Sequence, residues 1–342
     1  MSERLISILT AFYNAQDFIE TAHQSLLSQT YKNWEWICVD DCSTDNTLET
    51  LNGWAKEDSR IKVIKREKNG GNAACSFNTG IPHCSGTHIQ ILGHDDELTP
   101  DTLEEIAKRI DETGADIVIP DLEIVNSMID SSMENFKIIG VAPEKNNNDY
   151  KTGDRSIILS PDEACKLSFG WRIHGFAAFS KKLLEKVGYE EKGMNGDEYS
   201  CREFFLNANK IVFSKGKYVY LRRPTSITAK LSMRYFDRFL TEEKLHELVR
   251  KNHFEKKYKK IMNNSTLNIY FDYVMKYLTK YGTFSENEKK QVEEFLAYGI
   301  KLIQKYCSPF EIFKINVKIL KYKLFYKLWK YFDIKLRKKN LI

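Results

Sequence analysis

Carboxylates stand at two places in this chain where an apolar run stops. The first is ICVDDCSTDNT, with Asp40, Asp41 and Asp45, and the second is IQILGHDDELTPD, with Asp95 and Asp96. Each reads as a buried strand that runs straight into acid. In an open parallel sheet the carboxyl ends of the strands are where ligands bind. A carboxylate pair there suits a hard divalent cation, and such a cation suits a diphosphate. A third pair, Asp197 and Glu198, opens NGDEYSCREFFLNANK, which reads as a helix.

The elements that must hold these groups alternate in type. LISILTA (5–11), WEWICVD (34–40), RIKVIKR (60–66), HIQIL (88–92) and ADIVIP (115–120) are strand-like runs. Continuous apolar runs of this kind are typical of strands covered on both faces. Between them FIETAHQSLLSQ, TLETLNGWA, GGNAACSFNTGI and TLEEIAKRI read as helices, the last with Pro100 near its first turn. This β-α-β-α-β-α-β order predicts an α/β fold with a mostly parallel sheet between helix layers. No GxGxxG follows the first strand, so a dinucleotide-binding dehydrogenase is not expected.

Residues 122–160 are polar and irregular, with KNNNDYKTGD as the clearest loop. Mixed structure returns over 161–232, including the strand IVFSKGKYVYL, and 233–306 reads as helical. The expected organisation is a catalytic domain over 1–232, divided at 121/122 into a donor-binding and an acceptor-binding half. A helical region over 233–306 and a basic tail over 307–342 follow.

Together the motifs resemble glycosyltransferase family 2, inverting enzymes of the GT-A fold. The resemblance rests on SILTAFYN, VDDCSTDNT, GNAACSFNTGI, LGHDDELTPDTL and GDEYSCREFFLNANK, in the family's order, and covers roughly residues 5–228. It implies a GT-A (nucleotide-diphospho-sugar transferase) fold followed by a helical C-terminal region. It also implies transfer of one sugar, hexosyl or N-acetylhexosaminyl, from a nucleotide sugar to a hydroxyl of a glycan. The setting it implies is synthesis of a bacterial lipopolysaccharide, capsule, teichoic acid or other surface polysaccharide.

The resemblance assigns roles to particular residues. Ala11, Tyr13, Asn14 and Asp41, with Asp40 just before, would hold the nucleoside, and Asn72 and Asn78 would line the same pocket. A carboxylate accepting from the N3–H of uracil favours uridine over cytidine, so a UDP-sugar is expected. Alternatively, Asp40 and Asp45 only cap the following helix. Asp95, with Asp96 second, would hold Mn²⁺ or Mg²⁺ on the diphosphate; Asp96 alternatively orients sugar hydroxyls or caps the TPDTL turn. His94 reads as a spacer. Asp197 would deprotonate the acceptor hydroxyl, with Glu198 as fallback, kept ionised by the start of its helix; a simple N-cap is the plainer reading. Arg222 or Arg223 meets phosphate or is a surface charge. Trp171 and His174 line the acceptor groove or belong to the core.

Three positions depart from the family pattern: Ala11 for Pro, Phe77 for Arg and Gly93 for Asp. The Gln-x-x-Arg-Trp stretch of processive synthases is absent, which implies one sugar per encounter. A metal-dependent nucleotidyltransferase and a catalytically degenerate sugar-binding module are the rival readings.

The net charge of +5 is unevenly placed. Ten Lys/Arg stand against Asp333 alone between Lys314 and Lys339, giving +9 there and 5 − 9 = −4 elsewhere. Phe313, Val317, Leu320, Leu324, Leu328 and Tyr331 make one apolar helical stripe among these lysines, the composition of a helix lying in a membrane interface. A stripe packed on the protein body is the alternative. The expected partners are therefore a nucleotide-sugar donor, a glycan or lipid-linked glycan acceptor, and the inner membrane surface, with no nucleic acid. The seven cysteines include no CxxC pair, as expected for buried thiols in a reducing compartment. The opening MSERLISILTAFYN has no signal-peptide pattern, and no run of about 18 uncharged apolar residues occurs. A cytoplasmic enzyme, peripheral on the inner face of the cell membrane, is expected.

Overall fold

A computed structural model describes residues 4–126, 137–139, 155–170, 172–222 and 233–338. They form two compact units, one of residues 1–191 and 196–230, the other of residues 192–195 and 231–342.

The first unit is built on a nine-stranded sheet. Its strands are β1 (Ile6–Phe12), β2 (Trp34–Asp40), β3 (Ile61–Lys65), β4 (His88–Ile91), β5 (Glu97–Leu98), β6 (Ile117–Asn126), β7 (Lys137–Ile139), β8 (Ala178–Ser180) and β9 (Ile211–Arg222). The order is β3-β2-β1-β4-β8-β6-β9-β5, with β7 on β6. Six strands (β1, β2, β3, β4, β6, β9) run one way; β5, β7 and β8 run the other. The helices are α1 (Ile19–Leu27), α2 (Thr47–Glu57), α3 (Ala73–Gly80), α4 (Thr102–Thr113), α5 (Pro161–Ser168), α6 (Lys181–Val187) and α7 (Gly196–Asn207). The chain is thus an α/β protein with the expected parallel half. Three short antiparallel strands, which carry no legible alternation in the sequence, complete the other half.

Packing explains why the apolar runs became central strands. Every residue of β2 is buried, and Trp34, Trp36 and Cys38 join Ile6, Ile8 and Phe12 of β1 in one core with Leu51, Leu103 and Ile106. The predicted strand at 115–120 runs on to Asn126, because the ladder to β9 tolerates Pro120 by shifting register between Ile119 and Asp121. A proline has no N–H to give, so a sheet accepts it at such an irregularity.

The second unit is helical: α8 (Arg238–Lys251), α9 (Glu255–Lys280), α10 (Glu286–Tyr306) and α11 (Pro309–Lys338). Ser285 and Glu288 form a reciprocal capping box at the start of α10. Phe236, Phe239, Tyr273, Val292 and Leu302 make one core, and Leu267, Met275, Ile303, Ile315 and Ile319 another. The tail helix therefore does pack, but through a stripe other than the predicted one. Ile312, Ile315, Ile319 and Tyr322 face the bundle, whereas Phe313, Leu320 and Leu324 are 63%, 58% and 55% exposed. Among the described residues no helix is long and apolar enough to cross a membrane.

Candidate active site

Ala11, Tyr13, Asn14 and Asp41 stand at the carboxyl ends of β1 and β2, and Asp95 and Asp96 follow β4, whereas Asn72 and Asn78 lie on α3, Asp197 on α7 and Arg222 at the end of β9. Phe12 stands opposite Asp40 in the β1–β2 ladder, the Asp41 amide donates to the Phe12 carbonyl (2.8 Å), and the Leu92 amide donates to the Leu9 carbonyl (3.1 Å). Ala11 is half-buried beside Val39, and Tyr13 just beyond it is 46% exposed.

Asn14 takes a left-handed backbone (φ 49°) that turns the chain toward the second loop. Asn is among the few non-glycine residues that tolerate this conformation. Its amide donates to Ser43 Oγ (3.0 Å), and its Oδ1 accepts from the Thr44 amide (2.8 Å). Asp45 accepts from the Gln16 amide (3.2 Å) and the Thr47 amide (3.0 Å). Burial alone would raise the Asp45 pKa, but the Thr47 hydroxyl and these amides outweigh it and the net shift is down. Asp45 thus binds the two loops together as it caps the turn into α2.

Several of the expected residues have contacts or surroundings that the sequence does not show. Asp41, expected to accept from a base, is 5% exposed and already accepts from three donors, one of them shared between its two oxygens. Arg66 (2.5 Å) and the Gly70 amide (2.8 Å) reach Oδ1, and the Gly70 (3.1 Å) and Gly71 (3.3 Å) amides reach Oδ2. Asn72 and Asn78 are engaged with the segment before α7 instead of standing open to a nucleoside. Asn72 caps α3 through the Cys75 amide and donates to the Glu191 carbonyl (2.6 Å). Asn78 exchanges hydrogen bonds with the Tyr189 backbone (2.7 and 2.9 Å) and donates to Glu191 Oε1 (2.8 Å).

Asp96 is likewise engaged within the fold. It is 3% exposed, Oδ2 accepts from the Tyr218 hydroxyl (2.5 Å), and Oδ1 accepts from the Leu221 amide (3.0 Å). The Gly93 amide donates to the same Tyr218 oxygen (2.9 Å). A Cβ on Gly93 would lie 2.3 Å from Asp96 Oδ2. The missing Asp at 93 and the inward turn of Asp96 are therefore one arrangement, in which Asp96 serves β9 instead of a cation. Asp95, by contrast, is 22% exposed at its side chain, with His94 Nε2 4.0 Å away. Among the described residues no three His, Cys, Asp or Glu side chains group closely enough to hold a metal by themselves.

Asp197 is placed differently. It lies in the first turn of α7 at a cavity of about 120 Å³ lined by Phe77, Ile91, His174, Phe176, Cys201 and Phe204, among others. Its position at a helix start was expected to keep it ionised. Asp197 is exposed; the protein mass around it and Glu198 beside it lift the pKa to about 6 against the pull of the α7 amides, so the carboxyl stays mostly ionised at neutral pH. Glu198 is differently placed: Arg202 donates to its carboxylate (3.1 Å) and its carbonyl (2.5 Å), and also to the Ser168 carbonyl (3.2 Å). Arg222 ends β9 opposite Asn126. Arg223, Trp171 and the loop at 145–154 lie outside the described residues.

Arg66, Tyr218 and Glu191 were not legible as site residues. Each acts by touching a predicted one, across 25, 122 and 113 residues of chain respectively, and no local pattern marks such a partner.

Comparison with known proteins bears on the family and the fold. The family model described as "Glycosyl transferase family 2" matches residues 7–188. Glycosyltransferase GlyG of Streptococcus pneumoniae serotype 4 is 32% identical over 238 residues, 66% of this chain and 73% of that protein. WfgD of Escherichia coli, named a UDP-Glc:alpha-D-GlcNAc-diphosphoundecaprenol beta-1,3-glucosyltransferase, is 35% identical over 147 residues, 42% of this chain and 54% of that one. The S. aureus TarS fragment 1–349, solved in complex with UDP-GlcNAc, superposes with a TM-score of 0.61 at 19% identity, over 87% of this chain and 81% of that one. The sheet and its helices are thus those of a GT-A fold, and the chain belongs to glycosyl transferase family 2.

Proposed function

We propose that this transferase moves one sugar from a UDP-sugar to a hydroxyl of a bacterial surface glycan with inversion at the anomeric carbon, Asp197 acting as the base. One observation carries the reading. Of the two carboxylates that open α7, Glu198 is held by Arg202, while Asp197 stands at a cavity with its pKa raised to about 6. A carboxylate tuned upward toward neutrality, yet ionised above it, is what abstraction of a hydroxyl proton asks for. In the proposed step the acceptor oxygen attacks the anomeric carbon as its proton passes to an Asp197 oxygen. The bond from that carbon to the diphosphate breaks, and the electron pair leaves with UDP.

Ala11, Tyr13 and Asn14 would flank the nucleoside, and Asp41 would keep Arg66 and the Gly70–Gly71 amides facing it. Arg222 at the end of β9 is a candidate for the phosphates. Asp95 would hold Mn²⁺ or Mg²⁺. A single partly exposed carboxylate fits these ions, which commonly keep waters and take substrate phosphates as their other ligands. When bound, the cation would supply positive charge against the departing diphosphate. Asp96 is not proposed as a ligand. The acceptor is proposed to be a glycan on a lipid carrier, with the enzyme peripheral on the cytoplasmic face of the membrane. The lipid-diphosphate named for WfgD and the exposed basic face of α11 support that reading.

The test is a UDP-sugar panel with Mn²⁺ on wild type and Asp197→Asn. We expect kcat to fall by about 10²–10⁴-fold with the donor Kd changed less than threefold, and product of inverted configuration by NMR. Unchanged turnover would end the base assignment, and a retained anomer the inverting one.

A further inference from the structure

Tyr189, Glu190 and Glu191 form a strap between α6 and α7, fastened on both sides. On one side is Asn78, near the end of α3. Its Oδ1 accepts from the Tyr189 amide (2.7 Å), and its Nδ2 donates to the Tyr189 carbonyl (2.9 Å) and to Glu191 Oε1 (2.8 Å). A primary amide carries both a donor and an acceptor, so this one side chain matches both backbone groups of Tyr189, as a neighbouring strand would. Asn72, at the other end of α3, donates to the Glu191 carbonyl (2.6 Å). The Tyr189 ring, 9% exposed, lies 5.0 Å from that of Phe77 on α3 and edge-on, at 4.9 Å, to Phe204 on α7.

On the other side is Ser200 of α7, 1% exposed. Its hydroxyl donates to the Gly196 carbonyl (2.8 Å) and accepts from the Glu190 amide (2.7 Å). The first bond alone is common, since helical serines often return to the carbonyl four residues back. The second is not local, and the two together join the strap to the peptide that links Gly196 to Asp197. A Cβ on Gly196 would lie 2.4 Å from the Glu190 carbonyl oxygen, so the strap runs directly against this turn. The first amides of a helix have no partner within it, so contacts from outside the helix decide where its first turn sits.

We infer that Asn78 and Ser200 are positioning residues for Asp197: they hold the strap from its two sides and, through it, fix the α7 turn that aims the carboxylate at the acceptor hydroxyl. Neither touches a reacting atom. The inference rests on the proposed function, to which it adds these two residues, and it gives Asn78 a task other than lining the nucleoside pocket.

The experiment is a double-mutant cycle on hydrolysis, with Mn²⁺, of the UDP-sugar that wild type turns over fastest, water standing in for the acceptor. Donor Kd is measured by calorimetry, whose stoichiometry counts the folded fraction. Asn78→Ala should lower kcat about 10–100-fold, since misplacing a reacting group by about 1 Å can cost about 10²-fold. Donor Kd should change less than about threefold, as for a site with no shared partner. Ser200→Ala should do the same, and it carries the comparison if Asn78→Ala does not fold. In Asp197→Asn, neither substitution should lower the remaining rate by more than about threefold, because a base already removed cannot be misplaced. An equal fall with and without Asp197 overturns the inference and leaves Asp197 as the base. Wild-type kcat in both single variants overturns it too. So does a raised donor Kd with kcat kept in Asn78→Ala, which would return Asn78 to the nucleoside pocket. Turnover of Asp197→Asn at the wild-type rate would instead remove the base assignment, and the inference with it.

Discussion

Asp197 shows how a single residue's surroundings set its chemistry. Helix starts favour anions by a few tenths of a kcal/mol to about 1 kcal/mol, but loss of water and the neighbouring Glu198 act in the opposite sense here and win, lifting the pKa to about 6. A base works only when deprotonated, so kcat/KM should be level above pH 7 and fall tenfold per unit below pH 6. An ordinary aspartate would hold activity down to about pH 4. A profile flat to pH 5 would remove Asp197 from the base role. The same shift has a sign for stability. The folded carboxyl keeps its proton to a higher pH than the unfolded chain does, so this group's contribution is present below about pH 4 and is lost as pH rises through 6. Gly93 makes a second residue-scale case. Gly93→Ala should push Asp96 off Tyr218 and cost about 1–3 kcal/mol in a denaturant melt. Gly53→Ala in α2, where a Cβ meets nothing within 4 Å, should be neutral or stabilising. Equal effects would mean that Asp96 has room to move. Which residue types carry chemistry was legible in the sequence. Which of them the fold commits elsewhere was not, because Tyr218, Arg66 and Glu191 reach Asp96, Asp41 and Asn78 through contacts that only the folded chain creates.

At the scale of elements, α11 carries two apolar stripes on nearly opposite sides. At about 100° per residue, Phe313, Val317, Leu320 and Leu324 cluster on one face, and Ile312, Ile315, Ile319 and Tyr322 on the other. The second face fills the core with Leu267, Val274 and Ile303. Ile319→Ala should therefore cost about 2–5 kcal/mol of the second unit's stability, read as a lower melting temperature. Leu320→Glu with Leu324→Glu should leave melting nearly unchanged. Reversed outcomes would mean that the helix is seated by its other face. The sequence showed one of these stripes and took it to be the only one, since both have helical spacing and only tertiary contact says which is covered. The sheet was legible to the same depth. The runs that became β1 and β2 are buried along almost their whole length, and their density of large apolar residues leaves a local signal. β5, β7 and β8 are two or three residues long and exist only by pairing with distant strands, as Ile89 of β4 does with Phe179 of β8. The order β8-β6-β9-β5 has no local trace for that reason.

Over the whole molecule the decisive feature is charge. The stretch from Lys314 to Lys339 is +9 and the rest of the chain −4, so an anionic surface attracts one end of the sequence and mildly repels the remainder. Each lysine near an anionic leaflet is worth roughly 1 kcal/mol, and salt screens that attraction beyond about 8–10 Å. Burial of Phe313, Leu320 and Leu324 in lipid would add a term that salt does not weaken. Both terms acting together predict flotation of the full chain with phosphatidylglycerol vesicles at low salt, partial loss by 0.5 M NaCl (roughly a 4 Å Debye length) and little binding to phosphatidylcholine. Leu320→Glu with Leu324→Glu should remove what remains at high salt. These substitutions test the idea better than removal of the helix, which would uncover the partners of Ile315 and Ile319 and confuse lost binding with lost folding. Equal flotation with charged and neutral lipid would leave the lysines as a solvated face. Flotation in neither would mean that the enzyme meets its lipid-linked acceptor without a tether of its own.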